Sequence, residues 1–412
     1  MFRGMTRYPS FSQTKEPTMD NNKKFPVVCQ CLKVLNVLDY RSIFQDHRSK
    51  KLFAGSTIGL HVVAQLLQLK SYGELSEQLQ AHTELAQILQ LDSISASQLS
   101  RKTKSLCTSS LLALFTHLAA ELHSQTHHLQ GVSKSIGRLQ VIDATSISLP
   151  LFLGEWAKCS DKKCGVVLHT RVMVASPDIV FPNKVIASTA HVHESTVAME
   201  LIQSDDTTYV MDRGYSKFKH FETWLKNDVR FVIRLREWDR MFPVEGTERA
   251  TPAESPHILR DVDVLTTKTK TPMRMVEYMD EQGRLYRVGT SRWDISAAEV
   301  ADIYKNRWLV ELFFKWIKQH LHVVKLFSKD PTAVWNQLFL SLIAYTVHML
   351  ITLELKTTKS PWTTLKLLRI YFYDNWSNFV KAVSRPPSRT SKGRQKTNKT
   401  KERLGSQRII VR

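Results

Sequence analysis

At 412 residues the chain is long enough for two or three domains around a sizeable core. Its 42% hydrophobic content is ordinary for a globular protein, but a net charge of +20 with a pI near 9.7 is not; that balance favours a polyanionic partner, nucleic acid ahead of a membrane surface. Five cysteines with no paired zinc-site spacing give no disulfide framework and suit reduced thiols in the cytoplasm.

In chain order, residues 1–24 are polar, lack an apolar centre and read as a disordered leader, not a signal peptide. Residues 25–130 read as a helical DNA-binding domain. Leu52 to Leu69 carries apolar residues at helical spacing, and Leu79, Leu85, Ile88 and Leu89 continue it. Ser97 to Lys104 opens a basic helix that suits a DNA groove reader and, equally, a solvated helix face.

The texture changes at Arg138. Leu139-Gln140-Val141-Ile142-Asp143 is a short apolar run ending in an acid, and Val166–Ala175 and Val180–Thr189 alternate as strands do. Ser195–Ser204 reads as a helix. Thr208-Tyr209-Val210-Met211-Asp212 is a second apolar strand ending in an acid, followed by a helix over Lys217–Asn227 and a strand over Phe231–Leu235. The pattern predicts a mixed α/β core over 138–236 and 293–383. Residues 237–292 are rich in Pro and Gly and read as a β-rich insertion into it. Ser296-Ala297-Ala298-Glu299 forms a capping box and starts a helix that meets no Gly or Pro until Pro331. Leu338–Leu353, interrupted by Ser341, Thr346 and His348, reads as a buried helix and not a span, so no membrane is expected. Residues 384–412 hold ten Lys/Arg against one acid and read as a basic disordered tail suited to non-specific phosphate attraction.

The helix after the capping box carries the most information. Tyr304, Arg307, Glu311, Lys315 and Lys318 fall within about 80° of arc at helical periodicity, while Ile303, Leu309, Leu312, Phe313, Phe314, Trp316 and Ile317 take most of the other faces. One carboxylate among cations on a largely buried helix suggests a metal ligand beside a polyanion. If this helix packs beside the strands that end in Asp143 and Asp212, three acids converge, and they cannot stay ionised together without a cation. Hard carboxylate oxygens suit Mg²⁺ or Mn²⁺, and two such ions can serve phosphodiester cleavage. The competing readings are turn or capping roles for the two aspartates, and a separate cluster at His191, His193 and Glu194.

Tyr304, Arg307, Glu311 and Lys318 reproduce the Y-(2)-R-(3)-E-(6)-K signature of DDE transposases of the insertion-sequence-4 family, which the chain resembles. Asp143-Ala144-Thr145 is similar to that family's first-aspartate motif and Asp212-Arg213-Gly214-Tyr215 to its second. The resemblance covers 139–325 well and 25–130 more loosely. It implies a ribonuclease-H-like mixed-sheet catalytic core with a β-rich insertion and an α-helical N-terminal domain. It further implies that Asp143, Asp212 and Glu311 are catalytic and hold two Mg²⁺ (or Mn²⁺) ions, while Tyr304, Arg307 and Lys318 hold phosphates. Arg213 and Lys315 are further candidate backbone contacts. Tyr286 stands where some relatives carry a base-stacking tryptophan; this departure puts a DNA-hairpin route in question. The implied partners are double-stranded DNA, as terminal inverted repeats and target, and a second copy of the chain in a paired-end complex, at the bacterial nucleoid. The implied activity is DNA cleavage at insertion-sequence ends and strand transfer. The alternatives are a nuclease that cuts without joining and a non-catalytic DNA-binding remnant.

Overall fold

The computed structural model describes residues 25–36, 45–149, 155–160, 163–189, 192, 194–203, 205–237, 239–251, 253–267, 269–321 and 326–386. The expected leader, nearly all of the expected tail, and His191 and His193 lie outside the described residues.

Six helices come first: α1 (Val27–Leu35), α2 (Ala54–Leu67), α3 (Tyr72–Ala81), α4 (Thr83–Leu89), α5 (Ala96–Ser105) and α6 (Thr108–Gln125). A ten-stranded mixed sheet follows, built from β1 (Leu139–Leu149), β2 (Lys158–Ser160), β3 (Lys163–Ser176), β4 (Ile179–Thr189), β5 (Thr208–Met211), β6 (Phe231–Arg234), β7 (Met241–Pro243), β8 (Ile258–Thr266), β9 (Met273–Met279) and β10 (Leu285–Thr290). Helices α7 (Glu194–Leu201) and α8 (Phe218–Lys226) connect its middle strands. The chain then runs through α9 (Ala297–Lys305), α10 (Trp308–His320), α11 (Pro331–Glu354), α12 (Pro361–Ile370) and α13 (Trp376–Ser384).

The strand order is β2-β3-β1-β5-β6-β10-β9-β8-β7, with β4 also paired to β3. β1, β5 and β6 are mutually parallel, and the other pairings are antiparallel. The fold is therefore mixed α/β with one large mixed sheet. Residues 237–292 place β7 to β10 in this same sheet, where β10 pairs with β6.

The parallel ladders pair Ile142 with Met211 and Met211 with Ile233. These three side chains join one apolar cluster with Val197 and Leu201 of α7 and Phe221 and Trp224 of α8. Their neighbours Val141, Val210 and Val232 point the other way and join the larger cluster with α9, α10 and α11. Side chains alternate along a strand, so the next residues (Asp143, Asp212 and Arg234) face the α9–α11 side as one row.

α11 is apolar on nearly every face, as a helix buried on all sides should be. Among the described residues it is the only single helix long and apolar enough to cross a membrane, and 94% of its most apolar window is buried inside the fold. The N-terminal helices pack on it. Asn336 of α11 is fully buried at the 82° bend between α5 and α6. It donates to the carbonyls of Thr103 and Leu106, both at 2.9 Å, and accepts from the Thr108 hydroxyl at 2.7 Å. In the basic helix α5, Lys102 is buried on Asp46 at 2.7 Å and Lys104 pairs with Asp330 at 2.8 Å, while Arg101 is exposed.

Two sequence expectations need correction. Asp143 does not end its strand: β1 continues to Leu149, because β3 pairs antiparallel with its whole length. Asp143 instead marks where the parallel ladder to β5 stops. The expected single helix over 296–318 is two helices meeting at Asn306 and Arg307. Both residues keep right-handed helical dihedrals, but the backbone tightens to three-residue hydrogen bonds, Arg307 N–H to Tyr304 at 3.0 Å and Leu309 N–H to Asn306 at 3.0 Å. The Asn306 side chain donates to the carbonyl of Asp302 at 2.8 Å, which also accepts the Asn306 backbone N–H at 3.3 Å.

A buried ion cluster ties α9 to the sheet. Arg274, 2% exposed, grips Asp261 through Nε at 2.9 Å and Nη2 at 2.7 Å. Its Nη1 donates to the carbonyls of Arg292 and Ile295, just before the α9 cap. Arg274→Ala should cost roughly 1.5–3 kcal/mol, because Asp261 keeps only Arg249 at 3.3 Å and the carbonyls of Arg292 and Ile295 lose their donor; urea denaturation measures it, and a loss below about 1 kcal/mol would refute the clasp.

His61, fully buried in α2, contributes a pH dependence. Thr103 donates its hydroxyl to Leu99, so His61 Nε2–H must donate to Thr103 at 2.7 Å, and Nδ1 has no partner. Burial lowers its pKa from 6.5 to about 4. The unfolded chain takes up the proton first, so stability present above about pH 6.5 is lost as pH falls toward 4. A urea midpoint that falls between pH 7 and pH 5 is expected, with a shallower fall in His61→Gln.

Candidate active site

Asp143 sits where the β1–β5 ladder ends, with Oδ1 accepting from the N–H of Ala144 at 2.8 Å. Asp212 is the first residue past β5. Its Oδ1 accepts from the N–H of Gly214 at 2.8 Å, the tight turn that aspartate favours, and this leads into fully buried Tyr215. The turn role and a place in the acid row are therefore compatible.

Glu311 comes from the first turn of α10, where the helix dipole favours a carboxylate. Arg307, in the turn before it, joins two of the acids. Nη2 meets Glu311 Oε1 at 2.5 Å and Nη1 lies 3.5 Å from Asp143 Oδ2. Burial works against the charge of Arg307, but the hydrogen bond it donates to Glu311 and the surrounding negative charges outweigh it and raise its pKa. Lys318 donates to the carbonyl of Ser146 at 3.1 Å. From Glu311 to Lys318 the helix advances about 10.5 Å, and from Asp143 to Ser146 the strand advances about 10 Å. α10 therefore runs alongside β1 in the same direction, with Glu311 over the acid row and Lys318 beyond it.

Tyr304 is not on an open polar stripe. It is 5% exposed, and burial pushes its pKa up to about 12 while the charges of Arg307 and Arg234 pull it down and Asp212 pushes it up. The phenol thus remains a hydrogen-bond donor amid two arginines and the second aspartate. Lys315 and Arg213 are exposed at the margin. Trp308 and Leu312 of α10 are also exposed, at 57% and 45%, although the helix pattern suggested a mostly buried element.

Tyr286 is flanked on both sides. Its cross-strand partner Tyr278 stacks at 5.3 Å with the rings 9° apart, and the guanidinium of Arg234 lies 4.4 Å from its centroid on the β6 side. Tyr304 approaches at 5.8 Å. A DNA base could use a face of Tyr286 only by displacing one of these neighbours.

Sequence reasoning missed Arg234. It ends β6 in the same row as Asp143 and Asp212, faces Tyr304 and is pinned by Tyr286. The available signal was register: three short apolar parallel strands each lead into a charged residue.

Among the described residues no three acid, histidine or cysteine side chains stand close enough to hold a metal ion together. The donor chemistry nevertheless fits one. Asp143 and Glu311 are hard oxygen donors already arranged about a positive charge, that of Arg307, and both remain partly accessible. Asp143, Asp212 and Glu311 could hold a divalent cation together if the Arg307 side chain swings away.

A family model described as a transposase DDE domain matches residues 134–347, which include all three acids, Tyr304, Arg307 and Lys318. The chain belongs to this DDE transposase family. Members generally use divalent metal ions. A Geobacillus stearothermophilus protein named as a transposase for insertion sequence element IS5377 is 30% identical over 60% of this chain and 65% of its own length. A Sinorhizobium fredii protein named as transposase y4zB is 28% identical over 56% of this chain and 64% of its own. A Synechocystis protein named for insertion sequence element IS4SA is 22% identical over 45% and 54%. The chain thus spans just under two thirds of the first two relatives and about half of the third. A piggyBac transposase in a synaptic complex with hairpin DNA overlays with a TM-score of 0.44 at 10% identity, covering 89% of this chain and 84% of that one, a likeness too loose to carry weight.

If Arg307 competes with a cation for Asp143 and Glu311, removing it should favour metal in the DDE domain. Arg307→Met is expected to tighten Mn²⁺ binding by about tenfold in the DNA-free protein, equivalent to ~1.4 kcal/mol. Titration calorimetry reads this directly, and unchanged or weaker binding would refute the competition.

Proposed function

We propose that this protein is a transposase with a ribonuclease-H-like core that cuts DNA at the ends of an insertion sequence and joins those ends to target DNA. The observation that supports the reading is the meeting of the acid row with α10: Asp143 lies within β1 where its parallel ladder to β5 stops, Asp212 directly follows β5, and Arg307 joins Glu311 to Asp143. Membership of the DDE family supports the same reading.

On this reading water attacks the phosphodiester at the element end, the P–O3′ bond breaks, and a free 3′-OH is left beside a 5′-phosphate. That 3′-OH then attacks a target phosphodiester in line, forming one P–O bond as the target's own 3′-oxygen leaves. Each nucleophile is water or a DNA hydroxyl, so no covalent protein–DNA bond forms. Two Mg²⁺ or Mn²⁺ ions on Asp143, Asp212 and Glu311 would supply charge for the attacking and leaving oxygens. Arg307 offers a planar two-pronged grip on a phosphate and Lys318 a point charge. Tyr304 donates a neutral hydrogen bond, since its raised pKa keeps the phenol protonated. Arg234 extends the cationic side of the row, while Arg213 and Lys315 are outer phosphate contacts. The N-terminal helical domain would hold the terminal inverted repeats, the segment 237–292 would act as the insertion of the core, and two copies would pair two DNA ends at the bacterial nucleoid.

Glu311→Gln keeps the shape and removes the charge. It should lower both end cleavage and strand transfer on the order of 10²–10³-fold, while duplex binding persists. Retention of wild-type cleavage would sink the site assignment. Hydrolysis by the wild type without any joined product would leave a nuclease in place of a transposase.

A further inference from the structure

Two loops at the same end of the sheet carry cations beyond Arg213 that the site above does not use. One follows β5 and runs from Arg213 to Lys217, with Lys219 just inside the first turn of α8 and no acid between 213 and 219. The other follows β6 and presents Arg236 and Arg240. They are tied to each other. Asp239 Oδ2 accepts from the N–H of Arg236 at 2.9 Å and from the Ser216 hydroxyl at 3.4 Å, and Arg236 Nε donates to the carbonyl of Arg213 at 3.3 Å. Asp239 is thereby engaged in the scaffold; Lys219 and Arg240 are exposed on the outer face, with Glu237 an exposed acid between the two arginines of the second loop. An open groove of about 310 Å³ runs between the loops, lined by Ser216, Lys217, Phe218, Lys219, Arg236 and Asp239. The field there is positive: buried His220 has a lowered pKa, first through burial and then through the charges of Lys219 and Lys217.

Position gives this surface its meaning. Across the sheet, Lys318 lies over Ser146 of β1, and the loops lie past β5 and β6, with Asp143 and Asp212 between. A DNA strand with its reacting phosphate at the acids and its path along Lys318 leaves over the two loops. Their cations stand on an open surface about a shallow groove, which suits contacts to phosphates, and phosphate contacts carry no sequence information directly.

We propose that the β5–α8 and β6–β7 loops form a platform that binds the phosphate backbone of target DNA. This rests on the transposase reading. DNA flanking the element is covalently joined to the end that the protein already holds, whereas target DNA brings no such tether. A sequence-tolerant cationic platform adds affinity for the duplex that otherwise has none.

The test uses the full chain carrying Lys217→Ala, Lys219→Ala and Arg240→Ala together, with a urea midpoint to confirm folding. Strand transfer from pre-cut ends with a free 3′-OH into plasmid DNA should fall on the order of tenfold at physiological salt. Cleavage of intact ends should stay within about twofold. Binding to an unrelated duplex should lose about 2.7 from its log–log salt slope, at about 0.9 per phosphate contact, and a Lys217→Arg, Lys219→Arg, Arg240→Lys variant should recover both readouts. Unchanged strand transfer overturns the platform, and so does an equal fall in cleavage, which would assign the loops to flanking DNA. If the wild type neither cuts nor joins, the transposase reading fails on its own, and an unchanged salt slope still refutes the platform.

Discussion

The register of three parallel strands governs the polar chemistry of this protein. Ile142, Met211 and Ile233 stand in step, and each is followed by a charged residue. A slip of one residue in any of the three would turn its charge toward α7 and α8 and an apolar side chain toward α10. Burial on both faces prevents this: Val141, Val210 and Val232 are fully buried on one side, and Ile142, Met211 and Ile233 on the other. The row Asp143–Asp212–Arg234 is therefore held by apolar packing one position earlier.

The second half of the site arrives from a distant part of the chain. Arg274, held by Asp261, donates to the carbonyls that precede α9, and the capping box of Ser296 and Glu299 fixes where that helix begins. α10 then lies along β1, fastened by Arg307 at one end and Lys318 at the other. Rigid elements supply the acids, while long side chains with several rotamers supply the cations. That division suits a site in which charges must stay fixed and the grip on a substrate must adjust.

Much of this was legible in the sequence, for physical reasons. Asp143 and Asp212 stand out because an apolar run that stops at an acid must surface there, and the Tyr304–Lys318 spacing survived because the turn at Asn306 and Arg307 stays close to helical. The break itself left no signal, since neither residue is Gly or Pro. The burial of Tyr304 was hidden because its neighbours Tyr286 and Tyr278 come from strands that no local pattern links to α9. Arg234 was passed over because a cation after a strand reads as ordinary surface until the neighbouring strands are known. In α5 the basic pattern misled in part: Lys102 is a buried clamp on Asp46, a role set by a loop more than fifty residues earlier.

The seating of Asn336 in the bend between α5 and α6 also bears on how the chain is made. Its partners lie 228 to 233 residues earlier, so the N-terminal helices emerge from the ribosome long before the helix that completes their core. Until residue 354 has been synthesised, the apolar surfaces of α2 and α6 lack their main cover. A message truncated after Glu311 but before α11 would encode all three acids yet yield a chain unable to bury its own interior, a substrate for chaperones and proteases and not an enzyme.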